Sequence, residues 1–224
     1  MKYLALLLLP LLPVTATADE PVARPGALLL EDHFERADLG DWKVIIPAFS
    51  VEDGALKGSQ GREDHGGVGR IYVPMKDVVA EFRFQLRGSP GFNAVFDDKN
   101  HKGSHAGHIC RVAFAPSQIR IGDDKEGIMR NDIFEMRRDP ARKAEADAQI
   151  QDRSTSAPVK LQQETWYQVR LELAGDRLRV LLDGEPIATL QSPGIAHPTK
   201  TSLHFTVNGP GVLFDDVKIW EAAP

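Results

Sequence analysis

The stretch Asp97–Arg111 (DDKNHKGSHAGHICR) sets three of the chain's seven histidines beside two aspartates. Imidazole and carboxylate groups are the raw material of acid–base catalysis and of transition-metal sites. The spacing of His101, His105 and His108 would suit one face of a helix, but Gly103 and Gly107 argue against a helix. On a strand, His105 and His108 would point to opposite faces. The segment therefore predicts one histidine working with residues from other strands, or else a Gly-rich loop whose histidines bond backbone. A second cluster runs from Gly194 to Gly209. Leu203, Phe205 and Val207 alternate with Ser202, His204 and Thr206, so His204 stands on the face away from the core. A row of Ser, His and Thr suits a hydroxyl-rich ligand; the alternative is a plain solvent face. Asp64-His65-Gly66-Gly67 is a weaker third candidate, either at the mouth of that face or a turn in which Gly supplies positive φ. His65, His108, Ser202 and Thr206 are the candidate ligand-binding residues.

The elements that must position these groups read as strands. Val78–Leu86 alternates apolar and polar, as do Tyr167–Leu173 and Leu203–Val207, which is the pattern of half-buried antiparallel strands. Asp53-Gly54 and Asp183-Gly184 sit between short apolar runs and read as hairpin turns. A third turn is expected at Ala174-Gly175-Asp176. With turn signals every ~8–12 residues, the chain reads as an all-β sandwich or barrel. Residues 122–158 interrupt this pattern. Asp139-Pro140 reads as a helix start, and a helical insertion is expected near 128–154, either a substrate lid or a cover for a sheet edge.

The first eighteen residues read as a secretory signal: Lys2, an apolar run from Leu4 to Val14 broken by Pro10 and Pro13, and Ala16-Thr17-Ala18 as the cleavage site. The run is too short for a membrane span. A polar leader (19–26) and a single domain (27–222) follow, and a periplasmic or secreted location is expected. Cys110 is the single cysteine, so no intrachain disulfide forms, and its apolar neighbours predict a buried thiol. A net charge of −5, with no basic stripe interleaved with aromatics, argues against nucleic acid as a partner.

Three groups of residues carry a resemblance. They are Glu31-Asp32-His33-Phe34 with Gly40-Asp41-Trp42, the run from Trp166-Tyr167 to Asp183-Gly184, and the closing Leu213–Trp220. Together they resemble concanavalin A-like lectin/glucanase sandwiches, and within these the 3-keto-disaccharide hydrolase family. The resemblance spans most of 27–222, while 88–158 is particular to this chain. It implies a two-sheet antiparallel jelly roll with paired first and last strands, and carbohydrate as the partner. The E-x-D-x-x-E strand of laminarinase-type glucanases has no counterpart here, since Glu135–Asp139 does not fit it. That disfavours paired-carboxylate catalysis.

The family chemistry needs a base for the proton at C2 of a 3-keto sugar and a cation for the resulting enolate. His105, His204 and Asp97 are candidate bases; Lys200, Arg111 or a metal ion is the candidate cation. In sandwiches of this type a structural Ca²⁺ often lies beside the paired terminal strands, which makes Asp32, Asp215 and Asp216 candidate ligands. Otherwise those aspartates cap a bulge or pair with an arginine. A bulge is expected there because Phe214 and Val217 cannot both face the core of a regular strand. The leading function is an exported hydrolase or lyase on (3-keto) glycosides. A non-catalytic glycan-binding or envelope module and a His-based metal-binding envelope protein are the alternatives.

Overall fold

The computed structural model describes residues 20–223, so the expected signal segment lies outside the described residues. In chain order the strands are β1 (Arg24–Asp32), β2 (Lys43–Ile46), β3 (Phe49–Glu52), β4 (Ala55–Gly58), β5 (Gly67–Met75), β6 (Val78–Leu86), β7 (Gly91–Asp97), β8 (His108–Ala115) and β9 (Gln118–Asp123). Two helices follow, α1 (Asn131–Arg138) and α2 (Lys143–Gln149). The chain then forms β10 (Ser154–Pro158), β11 (Trp166–Ala174), β12 (Arg177–Leu182), β13 (Glu185–Gln191), β14 (Lys200–Asn208) and β15 (Val212–Ala223).

These strands form two antiparallel sheets. One runs β13-β12-β11-β6-β15-β4-β3 with β1 alongside β15; the other runs β10-β9-β8-β7-β14-β5-β2. This is the two-sheet jelly roll expected from the alternating strands. The inner faces meet through apolar side chains at every second position. Phe82, Phe84, Phe92, Phe114, Phe205 and Phe214 are all buried. Phe205 stacks on Phe214 at 4.0 Å and on Trp42 at 5.5 Å. Cys110 belongs to this core, and burial pushes its thiol pKa upward, so it is inert as a nucleophile. The Asp53-Gly54 and Asp183-Gly184 turns join β3 to β4 and β12 to β13, all four residues having positive φ.

The first and last strands pair, with Arg24 opposite Ala223 and Asp32 opposite Val217. The polar leader is shorter than expected, because β1 already starts at Arg24. The residues before it are tied to the first sheet: the Val22 amide donates to Glu172 at 2.8 Å, and Arg179 donates to the Glu20 carbonyl at 2.8 Å. The expected bulge is present. The β15–β6 register breaks between Asp215 and Lys218, Asp216 has φ 50°, and Phe214 and Val217 both reach the core.

The three carboxylates named as calcium candidates, at and beside that bulge, have partners within the protein. Asp32 accepts from Arg36 Nη1 and Nη2 (2.6 and 2.8 Å), from Trp42 Nε1 (3.0 Å) and from the Phe34 amide (2.9 Å). Although burial opposes it, these donors, Arg36 foremost, keep the Asp32 pKa low. Its role is to seat Trp42 in the core. Asp216 accepts from His33 (2.7 Å) and Arg83 (3.1 Å), and Asp215 lies 3.6 Å from Arg83. With cations of the protein at these carboxylates, the geometry matches the arginine-paired alternative.

The insertion also differs in detail. Asp139-Pro140 ends α1 instead of starting a longer helix. The Asp139 carboxylate accepts from the Ala141 amide (2.9 Å), and α2 begins only at Lys143. β10 belongs to the second sheet, paired with β9, so the non-strand insertion is only residues 124–153. Ile133, Ala146 and Ile150 give it a small apolar core of its own. It packs across the outer face of the second sheet and walls the cleft described next.

Candidate functional site

On β14, burying Leu203, Phe205 and Val207 leaves Ser202, His204 and Thr206 on the outer face of the second sheet. β7 lies beside it, with Asp97 opposite Ser202 and Val95 opposite His204. On the far side of β7, Phe96 pairs with Cys110 but Asp97 pairs with His108, so Ile109 is an extra residue in β8. This bulge turns His108 onto the same face as Asp97. His105 is not on the strand at all. It opens a 3₁₀ turn, His105–Gly107, in which Ala106 (φ 53°) and Gly107 (φ 75°) bring the chain around. His105 and His108 therefore share one cleft, with ring centroids 6.2 Å apart, where regular strand alternation predicted opposite faces.

The cleft has a volume of about 440 Å³. His65, His105, His108, His204 and Thr206 line it with Arg70 and Arg111; Ile45, Ile46 and Phe134 supply apolar wall. The His105 ring stacks on Phe134 at 4.0 Å. No Asp or Glu stands among the described lining residues, and none of the three tryptophans does.

Behind two of the lining imidazoles a single carboxylate holds both rings. Asp97 Oδ1 is 2.6 Å from His108 Nδ1, and Oδ2 is 2.6 Å from His204 Nδ1. Arg70 Nη2 also donates to Oδ2 at 2.9 Å. Burial alone would raise the Asp97 pKa, but His204 and His108, through their charge when protonated and through their hydrogen bonds, hold it well below the usual carboxylate range. An ionised Asp97 can only accept, so both rings carry a proton on Nδ1, and a neutral ring so held keeps its lone pair on Nε2. Burial depresses the His204 pKa against the pull of Asp97, and burial likewise depresses that of His105. His204 thus stays an unprotonated base to lower pH than a free imidazole.

Asp97, His108 and His204 are also the one group of described residues whose ligand atoms lie within 4.8 Å of one another, the span a metal needs. Their Nδ1 and carboxylate atoms are already bonded to each other, and the Arg70 guanidinium opposes a cation at Oδ2. The arrangement fits an acid–base site better than a chelate.

The other candidates divide between this cleft and its surroundings. Lys200 is not available as a cation for the site. Its side chain is fully buried, and Nζ donates to the Lys76 (2.8 Å) and His197 (3.0 Å) carbonyls. Burial lowers its pKa, and its role is to tie two loops together. Ser202 lines an adjoining hollow with Asp97, Arg70, Lys99 and His101. Asp98 faces away from Asp97, accepting from Thr199 (2.7 Å) and paired with His197 Nε2 (3.0 Å). Against burial, those two bonds draw its pKa down to about 2. His65 reaches the cleft rim with Nδ1 at 2.7 Å from the Gly66 carbonyl. Arg111 lines the cleft while its Nε donates to the buried Asp124 carboxylate at 2.6 Å. Arg70 is the residue that the sequence reading missed. It stands directly across from His204 on β5, and its signal was a lone charge between Gly69 and Ile71.

The depressed His204 pKa has a consequence for stability. The unfolded chain would take up a proton on this histidine below about pH 6.5, and the fold resists that uptake. Stability should therefore fall as pH drops below about 6.5. His33, whose pKa is raised by Asp216 and Glu31, acts in the opposite sense. The His204 contribution is read by comparing Tm from pH 7.5 to 5 in wild type and His204→Asn. The wild type should lose more, and equal slopes would refute the assignment.

No family model and no curated protein matches the sequence. Solved structures match by shape. Porphyranase B from Zobellia galactanivorans superposes with TM-score 0.59 at 11% identity, over 92% of this chain and 100% of that one. The carbohydrate-binding module CBM66 from Bacillus subtilis gives 0.53 at 10% identity, over 83% and 98%. A sialidase gives 0.58 at 14%, over 90% of this chain but only 19% of the sialidase chain. At these identities the likeness defines the class of fold: a concanavalin A-like jelly-roll sandwich. Among the described residues, no helix is long and apolar enough to cross a membrane.

Proposed function

We propose that this protein is an exported, carbohydrate-active enzyme that cleaves oxidised (3-keto) glycosides by proton abstraction. The observation that carries this reading is the shared carboxylate, Asp97 fixing the tautomer of His108 and His204 in the lining of a cleft without a carboxylate pair. Standard glycoside hydrolysis needs two carboxyl groups facing each other across the bond. A keto group at C3 removes that need, because it acidifies the proton at C2. In the proposed reaction His204 Nε2 takes this proton, and the C–H electron pair moves to the keto oxygen as an enolate. Arg70 and Arg111 supply the positive charge that steadies it. The enolate electrons then return and the C1–O bond breaks. The imidazolium gives its proton to the departing oxygen, leaving an unsaturated keto sugar to which water adds in the hydrolytic version. The sugar-binding folds that share this architecture and the apolar wall of Phe134, Ile45 and Ile46 support a pyranose as occupant.

Release of the aglycone from 3-keto-glucosides and from the parent glucosides tests the reading. Wild type should turn over the keto compounds alone. His204→Ala should lose roughly 10²–10⁴-fold, the usual contribution of a positioned base. Measurable glycan binding with no turnover would replace the enzyme by a binding module.

A further inference from the structure

A second pocket of about 140 Å³ opens beside the histidine cleft on the same face. Asn93 and Arg111 line both, so the two spaces adjoin. In a chain of net charge −5, three guanidiniums converge on this small space: Arg111 from β8, Arg120 from β9 and Arg153 from the end of the insertion. Strand alternation puts Arg111 and Arg120 on the outer face, because Cys110, Val112, Ile119 and Ile121 fill the core. Gly122 and Ala113 keep the floor low. A Cβ at Gly122 would meet nothing closer than Arg111 Cγ at 3.8 Å, so the space there is real. Ile128 and Ile150 wall it with apolar surface, which strengthens any charge interaction inside.

The one carboxylate in the lining is already engaged. Asp123 accepts from Ser192 Oγ (2.6 Å) and from the amides of Gly194 (2.8 Å) and Glu126 (2.9 Å). The arginines keep unused donors. Arg111 spends Nε on Asp124, while its Nη2 is buried without a hydrogen-bond partner. Arg120 gives Nη2 to Ser154 Oγ (2.8 Å), and Arg153 gives Nη1 to the largely exposed Asp152 (2.9 Å). Planar forks with free N–H groups match a carboxylate or sulfate.

We propose that this pocket binds the anionic substituent, a carboxylate or a sulfate ester, of an acidic sugar whose ring or neighbouring ring lies over Asn93 toward His108 and His204. This deepens the proposed function by naming a substrate class, and it rests on that reading for the sugar but not for the anion.

Binding of D-glucuronate, glucose 6-sulfate and glucose to the full chain at low salt, followed by calorimetry, tests it. Both anionic sugars should bind at least tenfold more tightly than glucose, the effect of about one charge-assisted hydrogen bond. The preference should weaken with added salt. The Arg120→Ala/Arg153→Ala double variant should lose it, and so should Gly122→Val, which fills the space without removing a charge. Arg111 is left intact because its removal would strand the buried Asp124. Equal binding of all three sugars, or a preference that survives both variants, would overturn the proposal. Because binding is read without turnover, the two readings fail separately. A surviving anion preference in a protein inert toward keto-glycosides sinks the enzyme and keeps the pocket. Turnover of neutral keto-glycosides with no anion preference does the reverse.

Discussion

Asp97→Asn should abolish most keto-glycoside turnover and weaken the fold at the same time. The amide has one acceptor oxygen where the carboxylate has two, so only one of His108 and His204 can keep its Nδ1–H bonded. Because Arg70 also donates at Oδ2, the amide oxygen stays on the His204 side and the NH₂ group meets His108, so His204 keeps its lone pair but loses the negative charge that stabilises it once it has taken a proton. Activity should fall at least ~10²-fold, the lower range for losing a group that orients a catalytic histidine. Removing the charge also leaves the Arg70 guanidinium unmatched at a site where Asp97 is almost fully buried. Breaking a buried pair on one side costs about 3 kcal/mol. Urea unfolding and steady-state kinetics on one preparation read both effects. A variant that is destabilised but fully active would remove Asp97 from the mechanism and leave it a structural residue.

Phe205→Ala should separate these two effects. Phe205 is the residue after His204, and its ring faces the opposite way, into the core against Phe214, Trp42 and Phe82. Truncating a fully buried phenylalanine costs about 3–5 kcal/mol, through lost burial and the cavity left behind. The neighbouring strands still hold His204 in register, since it lies opposite Arg70 on β5 and Val95 on β7. The variant should unfold at much lower urea concentration yet keep turnover per folded molecule within a few-fold at low temperature. A loss below about 1 kcal/mol would mean that the aromatic cluster repacks.

The pair of substitutions also shows what was legible in the sequence. Period-two alternation fixes which residues of β6, β11 and β14 face the core, and so it placed His204 and Thr206 on the outer face. The Asp-Gly turns were equally readable, because few residues tolerate their backbone angles. The convergence of His105 with His108 was not readable. It depends on one extra residue, Ile109, and on a turn in which Ala106 takes a left-handed conformation. Neither leaves a periodic trace. Lys200 failed as a candidate for a different reason. A long side chain at a strand start can fold back onto nearby carbonyls, and here it does, on Lys76 and His197. The helical insertion near 128–154 was legible, but the strand that follows it was not, because Ser154–Pro158, an edge strand with few large apolar residues, resembles a loop until β9 pairs with it.

The ladder between β1 and β15 has a mechanical consequence. Because Arg24 faces Ala223, the start of β1 and the end of β15 lie at the same end of one antiparallel pair. Tension applied between them pulls across the hydrogen bonds and not along the strands. The pair would open like a zipper, one bond after another, and would not resist as a sheared block. A pull on this pair thus opens it one bond at a time, and the histidine cleft, which lies on the other sheet, is not part of that ladder.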